Sequence, residues 1–539
     1  MFKILVADKL AEEGLNYVRS QPDAELVHRP GLNEEQLAAI LGEHDGMMVR
    51  SGVTVSTTVL SNPGRLKVIA RAGAGVDNID LDTATACGIL VLNCAEANTT
   101  STTEHTFALL LALARNIGPA YQCVARGGWD RSAFVGQQLA GQTLGVAGLG
   151  RIGQAMAKRA LAFDMQVIAY DPFINAATSL DGIVKMYAEF DDMLPHADIL
   201  TFHVPLNDQT RGMLCTEQFD RCRPGVLIVN ASRGGVVDED ALLAALDSGK
   251  CAGAALDVFT LEPLSKDSPL RTHPKVLATP HLAASTHQAQ QAVSITAAQN
   301  LLAYLRGQGI RGAVNASGLG VDLDPLQQRF ADLAQRMAQL ISPMITRGIA
   351  AVTIEFVGSQ LAPATGVIER TALVWLLREY LDVPLNLINV SQVAEQRGIK
   401  VRAITIEEEK SVPQLTIEIQ GQASIGDAAV SRPRRIVGRV FHDLRPRVVE
   451  INGYHMDMIP AGDMLLIQNE DRPGMVGLVG TELGSASVNI SDMAISRRDA
   501  TALMVLNVDT PPNQSLIDRL RDRPGILTVA GVKLPDEAT

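Results

Sequence analysis

Aromatic rings are scarce in this 539-residue chain: Phe, Trp and Tyr make up 4% of it, so aliphatic side chains must fill its cores. Cysteine is sparse as well. Cys87, Cys94, Cys123, Cys215, Cys222 and Cys251 all fall in the first half and include no C-x-x-C pair, which argues against a structural zinc site and predicts reduced, packed thiols. No H-E-x-x-H spacing occurs among the ten histidines, so no metal is expected. Long apolar runs are missing too. Phe107 to Ala114, the longest in the first third, is far short of the ~20 residues that cross a bilayer. The N-terminal Met1-Phe2-Lys3-Ile4-Leu5-Val6-Ala7-Asp8 meets a charge too soon for a signal sequence, so a cytoplasmic protein without a membrane partner is expected. Nor is there an excess of cations: 47 Lys and Arg face 59 Asp and Glu, and the net charge of -12 has the wrong sign for coating a nucleic acid.

What the chain does have is length and alternation. At roughly 150 residues per domain it should hold three or four domains. Short apolar strands (Ile4 to Ala7, Met47 to Val49, Val68 to Ala70, Ile89 to Leu92) alternate with helical stretches up to about residue 95, the rhythm of a parallel α/β sheet. A helical segment from Thr100 to Arg115 leads into a second set of strands: Thr143 to Ala147, Gln166 to Tyr170, Ile199 to His203, Val226 to Asn230 and Gly253 to Asp257. A further helical segment over 285–306 can carry the chain back, and two helices crossing one boundary imply a hinge and a cleft. Beyond Gly318-Leu319-Gly320, the helix predicted over Leu326 to Ile341 and strands such as Ala351 to Val357 and Gln414 to Gln420 form an α+β region. The last segment reads βαββαβ, the ferredoxin-like order.

Five places at strand ends carry chemistry. Gly148-Leu149-Gly150-Arg151-Ile152-Gly153 follows an apolar strand and opens a helix, so Gly148 can turn, Gly150 can admit a pyrophosphate and Gly153 lets helix and strand approach. Asp171 closes the next strand, where its carboxylate can bind ribose hydroxyls and repel a 2′-phosphate, favouring NAD over NADP. A dehydrogenase of alcohols also needs a base and a cation. Asn230-Ala231-Ser232-Arg233-Gly234-Gly235, Asp257-Val258-Phe259-Thr260-Leu261-Glu262-Pro263 and Thr279-Pro280-His281-Leu282-Ala283-Ala284 supply an Arg, a Glu and a His at such ends.

Taken together, these motifs resemble the D-isomer-specific 2-hydroxyacid dehydrogenases, and within them the long-form phosphoglycerate dehydrogenases, over essentially the whole chain. The resemblance implies an α/β fold with two doubly wound parallel-sheet domains. These are a discontinuous substrate-binding domain (1–97 and 286–312) and a Rossmann NAD domain (98–285), followed by an α+β intervening domain (315–455) and a ferredoxin-like ACT regulatory domain (463–539). It implies His281 as proton acceptor from the C2 hydroxyl, Glu262 as its ring partner and Arg233 as the clamp on the α-carboxylate. Val204, Ala231, Ser232, Asp257 and Ala284 join the glycine loop, Asp171, Arg233 and His281 as cofactor contacts. Met48-Val49-Arg50-Ser51 and Ala70-Arg71-Ala72-Gly73 match positions that hold phosphate and carboxylate, and Trp129-Asp130-Arg131 matches a segment that supplies an Arg from a neighbouring subunit.

The expected substrate is 3-phosphoglycerate and the expected assembly a homodimer or homotetramer. Asn469, Asp471 and Asn489 match the places where serine-inhibited relatives hold their effector, with Asn469 replacing a His and Asp471 an Asn. The usual Pro-rich hinge stretch appears here as Cys94-Ala95-Glu96-Ala97-Asn98-Thr99-Thr100, and Ala74 and Ala283 stand where Thr and Gly are frequent. Six arginines between Arg432 and Arg447 form a cluster able to bind an anionic effector. Two other readings stay open: a related dehydrogenase of glycerate or hydroxypyruvate, and a non-catalytic NAD-sensing protein like the corepressors that share this fold.

Overall fold

Runs of Val, Ile, Leu and Ala four or five residues long form strands buried on both faces, which only a sheet covered on both sides by helices can accommodate. The computed structural model describes all residues except 175–181, 317, 346–347, 382, 409–411, 422–432 and 537–539. Its first sheet is five-stranded and parallel, in the order Ala24–His28, Phe2–Val6, Gly46–Val49, Val68–Arg71, Leu90–Leu92. The second is seven-stranded and parallel: Val276–Ala278, Cys251–Leu256, Val226–Asn230, Ile199–Phe202, Thr143–Ala147, Gln166–Tyr170, Lys185–Tyr187. The chain enters this sheet at Thr143–Ala147, fills one side, then crosses to Ile199–Phe202 on the other. That reversal is the topological switch point at which open α/β sheets bind ligands.

Two helices tie the parallel sheets together. Thr99–Ala114 leaves the first sheet, and His287–Leu305 returns to it, capped by Thr286 Oγ1 accepting from Ala289 N at 3.2 Å. The returning helix buries Val293, Ala297, Leu301 and Leu302 against Ile4, Val6, Val68 and Leu90. Both linking helices therefore cross the boundary between the two parallel sheets, and Thr102 of the first lines a cavity at that boundary.

The second half begins with the helix Pro325–Ile341, started by a capping box in which Asp324 and Gln327 satisfy each other's backbone N–H. It packs on a six-stranded mixed sheet ordered Lys400–Ile406, Ile349–Val357, Gln414–Gly421, Arg434–Val440, Pro446–Ile451, Tyr454–Met458, with its first pair parallel and the rest antiparallel. The last unit is a four-stranded antiparallel sheet, Ile490–Arg498, Thr501–Val508, Asp463–Glu470, Ile526–Lys533, with the helices Met475–Ser485 and Gln514–Arg521 on one face. Among the described residues no single helix is long and apolar enough to cross a membrane. All six cysteines are free thiols, and burial pushes Cys94 and Cys251 up to about 12 and Cys222 to about 11.

Candidate active site

The glycine loop sits at the switch point with the shape its spacing predicts. Gly148 has φ 89°, in the left-handed region, and a Cβ there would lie 2.6 Å from the His203 carbonyl oxygen. A Cβ on Gly153 would overlap the Gly148 carbonyl, so helix and strand touch at this point. Around Gly150, by contrast, a Cβ would meet nothing within 4 Å. The loop thus has an open face above the N-terminus of the helix Arg151–Ala162, the arrangement that receives a diphosphate. Asp171 stands at the end of the neighbouring strand, where its carboxylate accepts from Leu149 N at 2.8 Å and Phe173 N at 2.8 Å. These residues fit a dinucleotide.

In front of the loop lies a cavity of about 330 Å³. Gly150, Arg151, Ile152, Val204, Ala231, Ser232, Arg233, His281 and Ala284 all line it, which brings together most of the cofactor contacts named from the sequence. His281 Nδ1 and Glu262 Oε2 are 2.7 Å apart, and Glu262 is fixed in turn by Phe259 N donating to its other oxygen at 3.0 Å. A carboxylate on Nδ1 selects the tautomer with its proton there and leaves the Nε2 lone pair to accept a proton.

Asp257 is placed differently. It has no solvent exposure, and its carboxylate accepts from Thr279 Oγ1 at 2.6 Å, Leu282 N at 2.8 Å and Ala283 N at 2.9 Å. It braces the turn that carries His281. Burial acts to raise its pKa, but the hydrogen bonds from His105, Thr279 and Leu282 N outweigh this and hold it below the usual carboxylate value.

Three arginines converge from both parallel sheets. Arg71 is pushed below its ordinary pKa first by burial and then by the positive charges of Arg233 and Arg50, an effect that Asp77 partly offsets. Its Nε is buried without a hydrogen-bond partner. Like charges crowd around an unsatisfied donor here, an arrangement that a bound anion would relieve. Glycines make room for it: a Cβ on Gly73 would overlap Arg71 Nη1, and one on Gly75 would overlap Arg233 Nη2. Arg50 reaches the returning helix, where Nη1 donates to Gln290 Oε1 at 3.1 Å, and Ser51 beside it is exposed. Of the residues expected to hold substrate, Arg233 and His281 line the cavity, and Arg50, Ser51, Arg71, Gly73 and Arg131 do not. Arg131 is exposed on the segment after the helix Ile117–Ala125.

Further polar residues stand in or near the cleft. Asp77 accepts from Arg233 Nε at 3.1 Å across 156 positions of sequence. Asn98 lines the cavity with a buried Oδ1 that has no partner. Glu96 pairs with Arg151 across the cleft. His203 lines it too, and burial pushes its pKa down to about 4, so it stays neutral there.

In the C-terminal sheet, Asn469 is buried, its Nδ2 donating to Glu470 O at 2.6 Å while its Oδ1 has no partner. Asp471 pairs with Arg497 at 3.3 Å, and the exposed Asn489 donates its N–H to Asp509 at 3.1 Å. The arginine cluster is less concentrated than its spacing implied. Arg435 pairs with Glu450 at 2.7 Å, Gln414 holds Arg439 at 2.8 and 3.0 Å, and Arg447 pairs with Asp457 at 3.1 Å. Arg434 and Arg435 alone of these line a cavity of about 780 Å³ between the six- and four-stranded sheets, and Arg432 lies outside the described residues.

Comparison with known proteins places this geometry. Residues 107–283 match the D-isomer specific 2-hydroxyacid dehydrogenase NAD binding domain, and residues 327–452 match the D-3-phosphoglycerate dehydrogenase intervening domain. The D-3-phosphoglycerate dehydrogenase of Archaeoglobus fulgidus is 35% identical over 539 residues, covering 99% of this chain and 100% of that protein. That of Bacillus subtilis is 35% identical over 538 residues with the same coverage. Among solved structures, a glyoxylate reductase from Paecilomyes thermophila superposes with a TM-score of 0.54 at 27% identity, over 58% of this chain and 98% of that one. A D-lactate dehydrogenase from Aquifex aeolicus, complexed with NAD and lactic acid, gives 0.50 at 29% identity over 56% and 96%. The chain belongs to the D-isomer specific 2-hydroxyacid dehydrogenase family, in its D-3-phosphoglycerate dehydrogenase branch.

Proposed function

We propose that this protein oxidises 3-phospho-D-glycerate to 3-phosphooxypyruvate with NAD, the first step of L-serine biosynthesis. The observation that carries the reading is that His281 and Arg233 line one cavity at the switch point, with Glu262 on the His281 ring and Arg71 near enough to Arg233 to feel its charge. NAD, when bound, supplies the acceptor for the hydride that leaves C2. Gly148, Gly150, Arg151, Ile152, Gly153 and Asp171 would hold it. His281 takes the C2 hydroxyl proton on Nε2, and the imidazolium that results is stabilised by Glu262. Arg233 clamps the α-carboxylate by a forked contact, while Arg71 and Arg50 supply positive charge for the phosphate. Closure of the cleft brings these groups from both sheets to bonding distance and excludes water.

The same reading includes a cytoplasmic homo-oligomer and an amino-acid sensor. Ile117, Tyr121, Val124, Trp129 and Val135 are all more than half exposed on one arm beside Arg131, an apolar surface suited to a second copy that would receive Arg131 in trans. The βαββαβ unit has the order of an ACT domain, and Asn469, Asp471 and Asn489 are its candidate serine contacts.

The test is NADH absorbance with a carbonyl trap, comparing 3-phosphoglycerate with glycerate and adding serine to a parallel sample. Reduction of NAD with the phosphorylated acid supports the reading, and its suppression by serine supports the sensor. Turnover of glycerate alone would move the protein to a sister activity and leave Arg50 and Arg71 without a phosphate to bind.

A further inference from the structure

His281 sits at φ 55°, in the left-handed region that side chains rarely occupy, so its surroundings must impose the conformation. Asp257 does this. Its carbonyl oxygen accepts from His281 N at 2.9 Å, and its carboxylate binds the next two backbone N–H groups and Thr279 Oγ1. A carboxylate buried this deeply normally faces a Lys or Arg. Among the described residues none forms an ion pair with it, and the group that completes its shell is His105, whose Nε2 lies 3.1 Å from Oδ1.

His105 belongs to the linking helix Thr99–Ala114. One turn earlier on the same face, Ser101 Oγ donates to the Ala283 carbonyl at 2.8 Å and accepts from Thr286 Oγ1 at 3.2 Å. The linking helix therefore grips the catalytic turn at two points, one through a hydroxyl and one through a buried charge. We propose that His105 is a positioning residue for His281: its Nε2–H fixes the Asp257 carboxylate, and that carboxylate fixes the turn that aims the imidazole at the cleft. Because the helix is also one of the two that join the parallel sheets, the orientation of His281 is referenced to the hinge and not only to the sheet from which the residue comes.

The inference rests on the reading of His281 as the proton-transfer group, and the experiment separates the two. Full-length His105→Leu, His105→Gln, His105→Asn and His281→Ala are compared with the wild type for kcat, for KM toward 3-phosphoglycerate, and for hydrogen exchange of a peptide spanning 279–286. A glutamine amide reaches where Nε2 stands, whereas asparagine is one bond too short. The expected result is a kcat about tenfold or more lower in His105→Leu, with KM changed by no more than about threefold. Exchange of the 282 and 283 amides should be faster in His105→Leu, and His105→Gln should recover most of the loss on both readouts. Wild-type kcat in His105→Leu, or a His105→Gln as impaired as His105→Leu, overturns the proposal. Should His105→Leu fail to fold, the comparison of Gln with Asn decides: equal activity in the two overturns it. Wild-type turnover in His281→Ala would overturn the reading beneath it, whereas a dead His281→Ala beside a fully active His105→Leu removes only the role of His105.

Discussion

A methyl group at position 75 has no room. It would overlap Arg233 Nη2 and stand 2.7 Å from Asp77 Oδ2, the oxygen that accepts from Arg233 Nε and sets the guanidinium in the cleft. Gly75→Ala should therefore displace Arg233 and raise KM for 3-phosphoglycerate by about tenfold, a loss of about 1.4 kcal/mol, while NAD affinity measured by fluorescence titration stays within about twofold. An unchanged KM would show that Arg233 does not hold the substrate in this pose. His203 gives a second residue-scale prediction. Burial lowers its pKa from 6.5 to about 4, so between these values the unfolded chain binds a proton that the folded chain does not, and stability falls as the pH falls. Between pH 6.5 and 5 the cost is about 2 kcal/mol, read from the urea midpoint. His203→Gln, which keeps a partner for Thr201 but cannot titrate in this range, should lose that acid sensitivity. Arg233, Glu262 and His281 were legible in the sequence because polar residues that end apolar strands stand out from their surroundings. Asp77 and His105 were not, because each owes its place to a contact that folding assembles from distant parts of the chain.

The helices Glu12–Arg19 and His287–Leu305 cross at Gly14, where a Cβ would stand 2.6 Å from the Ser294 carbonyl oxygen and overlap its hydroxyl. Because the obstacle includes backbone, the returning helix must shift to admit a methyl group. Gly14→Ala should cost about 1 to 3 kcal/mol in urea unfolding, against the small gain that the same change brings in an open helix interior. A stabilised variant would mean that the two helices separate freely at this point. The same logic explains which strands the sequence disclosed. Interior strands such as Thr143–Ala147 and Val226–Asn230 are buried almost throughout and read as apolar runs. Ala24–His28, Lys185–Tyr187 and Val276–Ala278 each form an edge of a parallel sheet and have no fully buried residue. An edge strand is defined by the neighbour it pairs with, and its sequence need not be apolar. The helix expected over Thr100 to Arg115 ends at Ala114, and Asn116, with φ 51°, turns the chain into a second helix, Ile117–Ala125, which the composition did not separate from the first.

At the scale of the whole molecule, the apolar cores divide the chain unevenly. One core joins the four-stranded sheet to the six-stranded one: Met464, Leu466, Leu503 and Val505 pack with Val448, Ile451 and Tyr454. Buried Arg336 braces the joint by donating to the carbonyls of Pro460, Pro535 and Asp536 at 2.7 to 3.1 Å. A second core plugs Ile388 into the first parallel sheet beside Leu92 and Ala297, and Asn386 Nδ2 donates to Gly88 O at 2.8 Å. The seven-stranded sheet keeps to itself: among the described residues its two cores draw only on residues 107–283. What faces it across the cleft is polar and largely solvated, the Arg233–Asp77 and Arg151–Glu96 pairs, and each exposed pair of this kind is worth about 0 to 1 kcal/mol. Breaking either costs far less than pulling Ile388 out of its core, at about 2 to 5 kcal/mol for truncation to alanine. The second half should therefore travel with the five-stranded sheet as one body when the cleft closes. Spin labels at Glu25 and Asp518 should keep their distance on addition of NAD with 3-phosphoglycerate, while labels at Asp247 and Asp518 should move relative to each other. A change confined to the first pair would mean that the second half moves with the seven-stranded sheet instead, and a change in both pairs would place the hinge between the halves. An effector bound to the four-stranded unit would then have to act by deforming the joint at Arg336, because the cleft would open and close without it.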